Sequence, residues 1–218
     1  MKRFNLRDVT LLAGLVAGLA LAGPASATLL GNSLQFPLLS FDNGGSLTYN
    51  GGADALSVNA NPIALRPGPG AAPIFITPAD GTEFVSISIL VDDTGALIGG
   101  NPDGADLVVF GRIDLGGGNV LTGPLLLGEV TGFGSQDSGA TDLFDFSFTV
   151  TGGALAPAFD SVIGVALQSE RSSFAGSFLD NFGGGAKGTI GVIPEPTTLL
   201  LLGAGVAGLG LSGRRRAA

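Results

Sequence analysis

The chain has 218 residues, is 45% hydrophobic, carries a formal net charge of −8, and contains neither cysteine nor histidine. Those absences exclude disulfide staples, thiolate nucleophiles, the usual zinc sites and the commonest general base, leaving carboxylates and hydroxyls for any catalysis. An acidic surface also repels polyanions, so no nucleic-acid partner is expected.

In chain order, Lys2, Arg3 and Arg7 precede an apolar stretch from Leu11 to Leu21 and the small-residue site Ala25-Ser26-Ala27. The order basic, apolar, small is that of a secretory signal, predicted here as residues 1–27 and cut after Ala27. An uncleaved anchor is the alternative. This end implies Sec-type export machinery and a signal peptidase as partners.

The mature part, residues 28–192, is long enough for one domain with its own core. Both ends carry three basic residues against one acid, so the remainder keeps Arg66, Arg112, Arg171 and Lys187 against 16 acids, a net −12. Phe144-Asp145-Phe146-Ser147-Phe148-Thr149-Val150-Thr151 alternates without a fault, and Val85-Ser86-Ile87-Ser88-Ile89 does the same. Alternation of period two marks strands with one buried and one wet face. Further strands are expected at 34–41, 46–49, 55–58, 73–77, 106–115, 125–133, 162–167 and 174–178. Glycine pairs and triplets punctuate them as turns, with Gly116-Gly117-Gly118-Asn119 reading as a hairpin. Residues 60–73, with Pro62, Pro67, Pro69 and Pro73, read as a loop, and Gly183-Gly184-Gly185 as a flexible tether. The expected fold is all-β: a single antiparallel β-sandwich or jelly-roll-like domain. A glycine-rich disordered polymer is the competing reading.

Chemistry is sparse. Asn101, Asp103 and Asp106 place hard oxygen donors within six residues, the kind of set a calcium ion takes, although no glutamate closes the loop. Calcium is the one cofactor candidate, and an Asx-rich solvated turn is the plainer reading. A glycosidase needs two carboxylates facing each other across a cleft. With 16 acids some such pair is unavoidable and carries little weight, and the three alternating phenylalanines read as core rather than as a sugar platform. No catalytic residue is assigned.

The chain closes with Pro194-Glu195-Pro196, an apolar run from Leu199 to Leu211, and Arg214-Arg215-Arg216. Two prolines hold the tripeptide extended. The segment 197–213 reaches roughly 25 Å as a helix, just short of a ~30 Å hydrocarbon core, and the arginines stay on the cytoplasmic side. This arrangement resembles the PEP-CTERM sorting signal of exported proteins in Gram-negative bacteria, here residues 193–218. The resemblance implies a transmembrane sorting helix, recognition by an exosortase-like membrane enzyme, transient anchoring in the inner membrane, and release to the cell surface or extracellular matrix. A plain membrane anchor is the alternative. The resulting expectation is a non-enzymatic, exopolysaccharide-associated surface or matrix protein. Its rivals are a calcium-dependent carbohydrate-binding module and a carboxylate-based polysaccharide hydrolase.

Overall fold

The computed structural model describes residues 28–139 and 141–194, apart from the side chain of Asn43. The signal segment 1–27 and everything from Glu195 onward therefore lie outside the described residues. Ten strands follow one another: β1(Gln35–Asn50), β2(Ala55–Arg66), β3(Ile74–Thr77), β4(Phe84–Val91), β5(Leu97–Gly100), β6(Leu107–Asp114), β7(Val120–Gln136), β8(Thr141–Gly152), β9(Val162–Glu170) and β10(Phe182–Val192). Only a short 3-10 turn, Ala156–Ala158, interrupts the pattern.

All pairings between these strands are antiparallel, and they run in a ring. The order β1-β10-β9-β8-β7-β6 is completed by β6–β4, β4–β2 and β2–β1. Two positions in the ring are broken strands. β3 and β4 lie in succession along β2, which pairs Leu65 with Ile74 and then Ala60 with Val85. β5 and β6 lie in succession along β4, which pairs Ile89 with Gly100 and then Ile87 with Leu107. The result is a closed sheet of eight strand positions. The all-β, antiparallel expectation holds, but the pairings form one continuous sheet rather than the two of a sandwich or jelly roll. Closure is an alternative way to remove exposed edges. It depends on β1, whose 16 residues pair with both β2 and β10.

The interior is filled. Val85, Ile87, Ile89 and Val91 of β4 and Phe144, Phe146 and Phe148 of β8 are essentially inaccessible, with Leu39, Leu56, Leu107, Leu126, Ile163 and Ile190 around them. An eight-position barrel is just wide enough for side chains to occupy it completely. Val150, the end of the same alternating run, is only half-buried.

Four local expectations are corrected. Residues 60–66 are strand, not loop; Pro62 is accommodated where the β1–β2 register slips between Ser40 and Phe41, so its missing N–H breaks no ladder. Residues 174–178 are not a strand: Phe174 and Phe178 fold in from the β9–β10 connection and make edge-on and tilted ring contacts with Tyr49, Phe144 and Phe182 at that end of the barrel. Gly183-Gly184-Gly185 is no tether but part of β10, paired to Thr48, Leu47 and Ser46. Glycine is required in β10 by close approach: a Cβ on Gly188 would fall 2.3 Å from the Ala166 carbonyl oxygen, and one on Gly184 2.3 Å from Ser169 Oγ. Finally, Asp145 does not face solvent. Residues 28–34 cross the outer face of β8, and the Leu30 and Gly31 N–H groups donate to its two carboxylate oxygens, each at 2.9 Å.

Phe146→Ala should lower unfolding free energy by about 3–5 kcal/mol, as large-to-small changes in a packed core do. Thr149→Ala, on the exposed face of the same strand, should change it by less than about 0.5 kcal/mol. Urea denaturation of the two variants reads the difference.

Candidate functional site

Three features invite a functional reading: the acidic loop, a polar outer face, and the point where the chain leaves the barrel. The loop 101–106 fills the break between β5 and β6. Asp106 is buried, and its carboxylate accepts the Asn101 N–H through Oδ1 and the Val130 N–H, at 2.7 Å, through Oδ2. Its own carbonyl accepts the Ser88 N–H at 2.9 Å. One residue thus replaces the ladder bonds that the break removes, tying β5, β4 and β7 together. Gly100 is dictated by this arrangement, because a Cβ there would lie 2.0 Å from Asp106 Oδ1. Asn101 Oδ1 accepts the Asp103 N–H at 3.1 Å in an Asx turn, and Asp103 is exposed. Of the expected calcium set, Asn101 Oδ1 and both carboxylate oxygens of Asp106 are thus engaged in shaping the loop. Among the described residues no group of three or more Asp or Glu comes together in a form that could hold a metal.

The structure adds a neighbour that the sequence reading passed over. Glu129, on the outer side of β7, sits beside Asp106 and has its carboxyl pushed up, first by partial desolvation and then by the Asp106 charge. Its only signal in the sequence is a lone acid inside an apolar run. At the next turn, Asp92 Oδ1 accepts from Thr94 Oγ1 at 2.7 Å and from the Thr94 and Ala96 N–H groups at 2.9 Å. These bonds, the Thr94 hydroxyl first, hold its carboxyl below the usual range.

The outer face of β1, β2 and β4 is of a different character. Cross-strand register aligns Ser46, Asn59 and Ser86 in one row and Thr48, Ser57 and Ser88 in the next. All six are exposed or half-exposed and none is charged. Hydroxyl and amide groups both donate and accept, so the two rows form an uncharged hydrogen-bonding surface in an otherwise acidic protein.

At the end of the chain, Val192 still pairs with both Gln35 of β1 and Ile163 of β9, and the Ile193 N–H donates to the Val162 carbonyl at 3.2 Å. Pro194 is the next residue, so the Pro-Glu-Pro tripeptide begins with no slack after the closing strand. Of the residues singled out in the sequence for sorting and processing, Pro194 is placed here. Ala27, Glu195, Pro196 and Arg214, Arg215 and Arg216 lie outside the described residues.

Residues 192–216 match the family model described as the PEP-CTERM protein-sorting motif. No curated protein and no solved structure matches the chain. The chain accordingly carries a PEP-CTERM sorting motif, and that motif supports an exported, membrane-transiting protein sorted through its C-terminal tail by exosortase-type processing.

Asp106→Ala strips acceptors from two backbone N–H groups and should cost about 1–3 kcal/mol. Glu129→Gln should act in the opposite direction. A raised carboxyl means that the native state binds the proton more tightly than the unfolded chain, so ionised Glu129 disfavours folding at neutral pH and the penalty disappears as pH falls through its pKa. The variant should therefore melt slightly higher than the parent at pH 7 and level with it in acid. Thermal melts across pH check both expectations.

Proposed function

We propose that the mature barrel is a non-enzymatic component of the cell surface or extracellular matrix of a Gram-negative bacterium. It is delivered there by tail processing and associates with neutral stretches of exopolysaccharide through the outer face of β1, β2 and β4. The observation that carries this reading is the pair of uncharged rows, Ser46·Asn59·Ser86 and Thr48·Ser57·Ser88, on a domain whose tail is a sorting motif. Polysaccharide hydroxyls ask for groups that both donate and accept, and the side chains of these rows supply them without the desolvation cost of a charge. Asp106, the buried centre of the acidic loop, is occupied in joining strands, so the reading requires no metal or other cofactor.

Two measurements test it. For delivery, replacing Pro194-Glu195-Pro196 with three alanines should hold the precursor in the inner membrane, while ending the chain at Pro194 should release a soluble domain. Fractionation with mass spectrometry of the mature C-terminus reads the outcome, and a surface product retaining Arg214 to Arg216 would overturn the sorting step. For binding, Ser57→Ala combined with Asn59→Ala should lower cosedimentation of the mature protein with the producing strain's polysaccharide by about tenfold, the equivalent of 1.4 kcal/mol. Unchanged binding by the folded double variant would overturn the polysaccharide assignment and leave delivery untouched.

A further inference from the structure

The interior of the barrel is full, yet two of its phenylalanines pair on the outside. Phe84 of β4 and Phe110 of β6 are cross-strand partners on the outer face, with rings parallel to within 5° and centres 5.4 Å apart. Both are half-buried and neither belongs to the core; among the described residues every other contacting ring pair lies within the core. Pro124 of β7 extends the row. It pairs with Phe110 where the β6–β7 register slips, a place that tolerates a residue without an N–H. The neighbouring row adds Val108 and Leu127, also half-buried and outside the core. A cross-strand aromatic pair steadies a sheet modestly, but it does not call for three apolar neighbours in contact with water. A contiguous patch of this kind marks a binding surface.

This patch is continuous with the polar rows. Register carries the Ser46·Asn59·Ser86 row straight on to Val108 and Leu127. One line across β1, β2, β4, β6 and β7 is thus polar for three strands and apolar for two. Four inter-strand steps of about 4.8 Å make it roughly 19 Å long. No charged side chain falls within the rows, and Asp42, Arg112 and Glu129 stand at their margins. An occupant must therefore offer hydroxyl-type hydrogen bonding and an apolar face together, over that whole length. A pyranose ring does so, because its C–H face is apolar and its rim carries hydroxyls. Rings joined through equatorial bonds form an extended ribbon that presents both features along one line. Charge disfavours two other occupants, an acidic polymer and a second copy of this acidic domain.

We propose that the outer face of β1, β2, β4, β6 and β7 is a single amphipathic platform for a neutral hexopyranose chain with equatorial, β-type linkages. Ring faces rest on Phe84, Phe110 and their apolar neighbours, while rim hydroxyls exchange hydrogen bonds with Ser46, Asn59 and Ser86. The two phenylalanines are the aromatic groups this chain can offer there, since it has no tryptophan and its single tyrosine, Tyr49, is buried. The inference rests on the polysaccharide reading above and narrows it to a linkage class and to the residues that read it.

The test uses the full chain in a zwitterionic, sugar-free detergent, with cellohexaose and isomaltohexaose as probes. Both probes contain six glucose units, but only cellohexaose is a β-linked ribbon. Calorimetric titration should show cellohexaose bound several-fold more tightly than isomaltohexaose. Phe84→Ala combined with Phe110→Ala should weaken cellohexaose binding by about tenfold, whereas Phe84→Tyr combined with Phe110→Tyr should retain it. Phe84→Trp supplies a single indole, whose emission should move to the blue as cellohexaose binds. Equal affinity for the two probes, or an indole unmoved at saturating cellohexaose, overturns the inference even if the alanine variant fails to fold. Absence of cellohexaose binding in a parent that still cosediments with the producing strain's polysaccharide overturns the linkage class and leaves the polar-row reading standing. A parent that binds neither probe nor that polysaccharide overturns both. Self-association of the parent that the alanine variant abolishes, with no sugar bound, would make a second copy the occupant and overturn the inference as well.

Discussion

Everything in this molecule depends on the pairing of its first strand with its last. β1 is the only strand that meets both β2 and β10, and with it the sheet has no edge. Without β10, β1 and β9 would each expose a row of unpaired backbone groups, and the phenylalanines of β8 would lose one wall of their enclosure. No disulfide supports the arrangement, since the chain has no cysteine. The fold is held by apolar burial inside a ring of hydrogen bonds, and the ring closes only when residue 192 has been delivered.

That requirement connects the fold to export. The sorting motif begins at Val192, the residue that ends the closing strand. Because the motif starts where the closing strand ends, no linker separates the tail from the barrel. The N-terminal segment 28–34 contributes to the same end of the barrel: Leu34 packs near Ile193 over Gly164, where a Cβ would lie 2.6 Å from Leu34 Cδ2 and 3.1 Å from Ile193 Cδ1. Removal of the leader after Ala27 would leave Thr28 at the head of a strap already held by Asp145.

The parts legible in the sequence were those in which side-chain pattern and backbone state agree. β4 and β8 alternate strictly and are strands with the expected interior faces. Gly116-Gly117-Gly118 was readable as a turn, and all three residues have positive φ. The misreadings came from glycine used for close approach rather than for flexibility. β10, with glycine at 183, 184, 185, 188 and 191, has the composition of a linker and the geometry of a central strand. Nothing in its own sequence reveals that Ala166, Ser169 and Leu38 press against it. Asp145 failed for a similar reason, because its partners are the N–H groups of residues more than a hundred positions away. Sheet closure was illegible for the same cause, since the pairing that distinguishes a ring from two packed sheets joins opposite ends of the domain. The sorting motif was legible because it is contiguous. The polar face was not, because its rows exist only across strands.

Amide hydrogen exchange of the full chain, resolved to β10, is the most direct test of closure. If residues 182–192 form the closing strand, their N–H groups that face β1 and β9 should be protected to the same global level as those of β8 and should open with β1 in one cooperative unit. Exchange of the Gly183–Gly185 amides at the rate of an unstructured linker, with β8 still protected, would show that the ring is open and that the tail hangs from a tether after all.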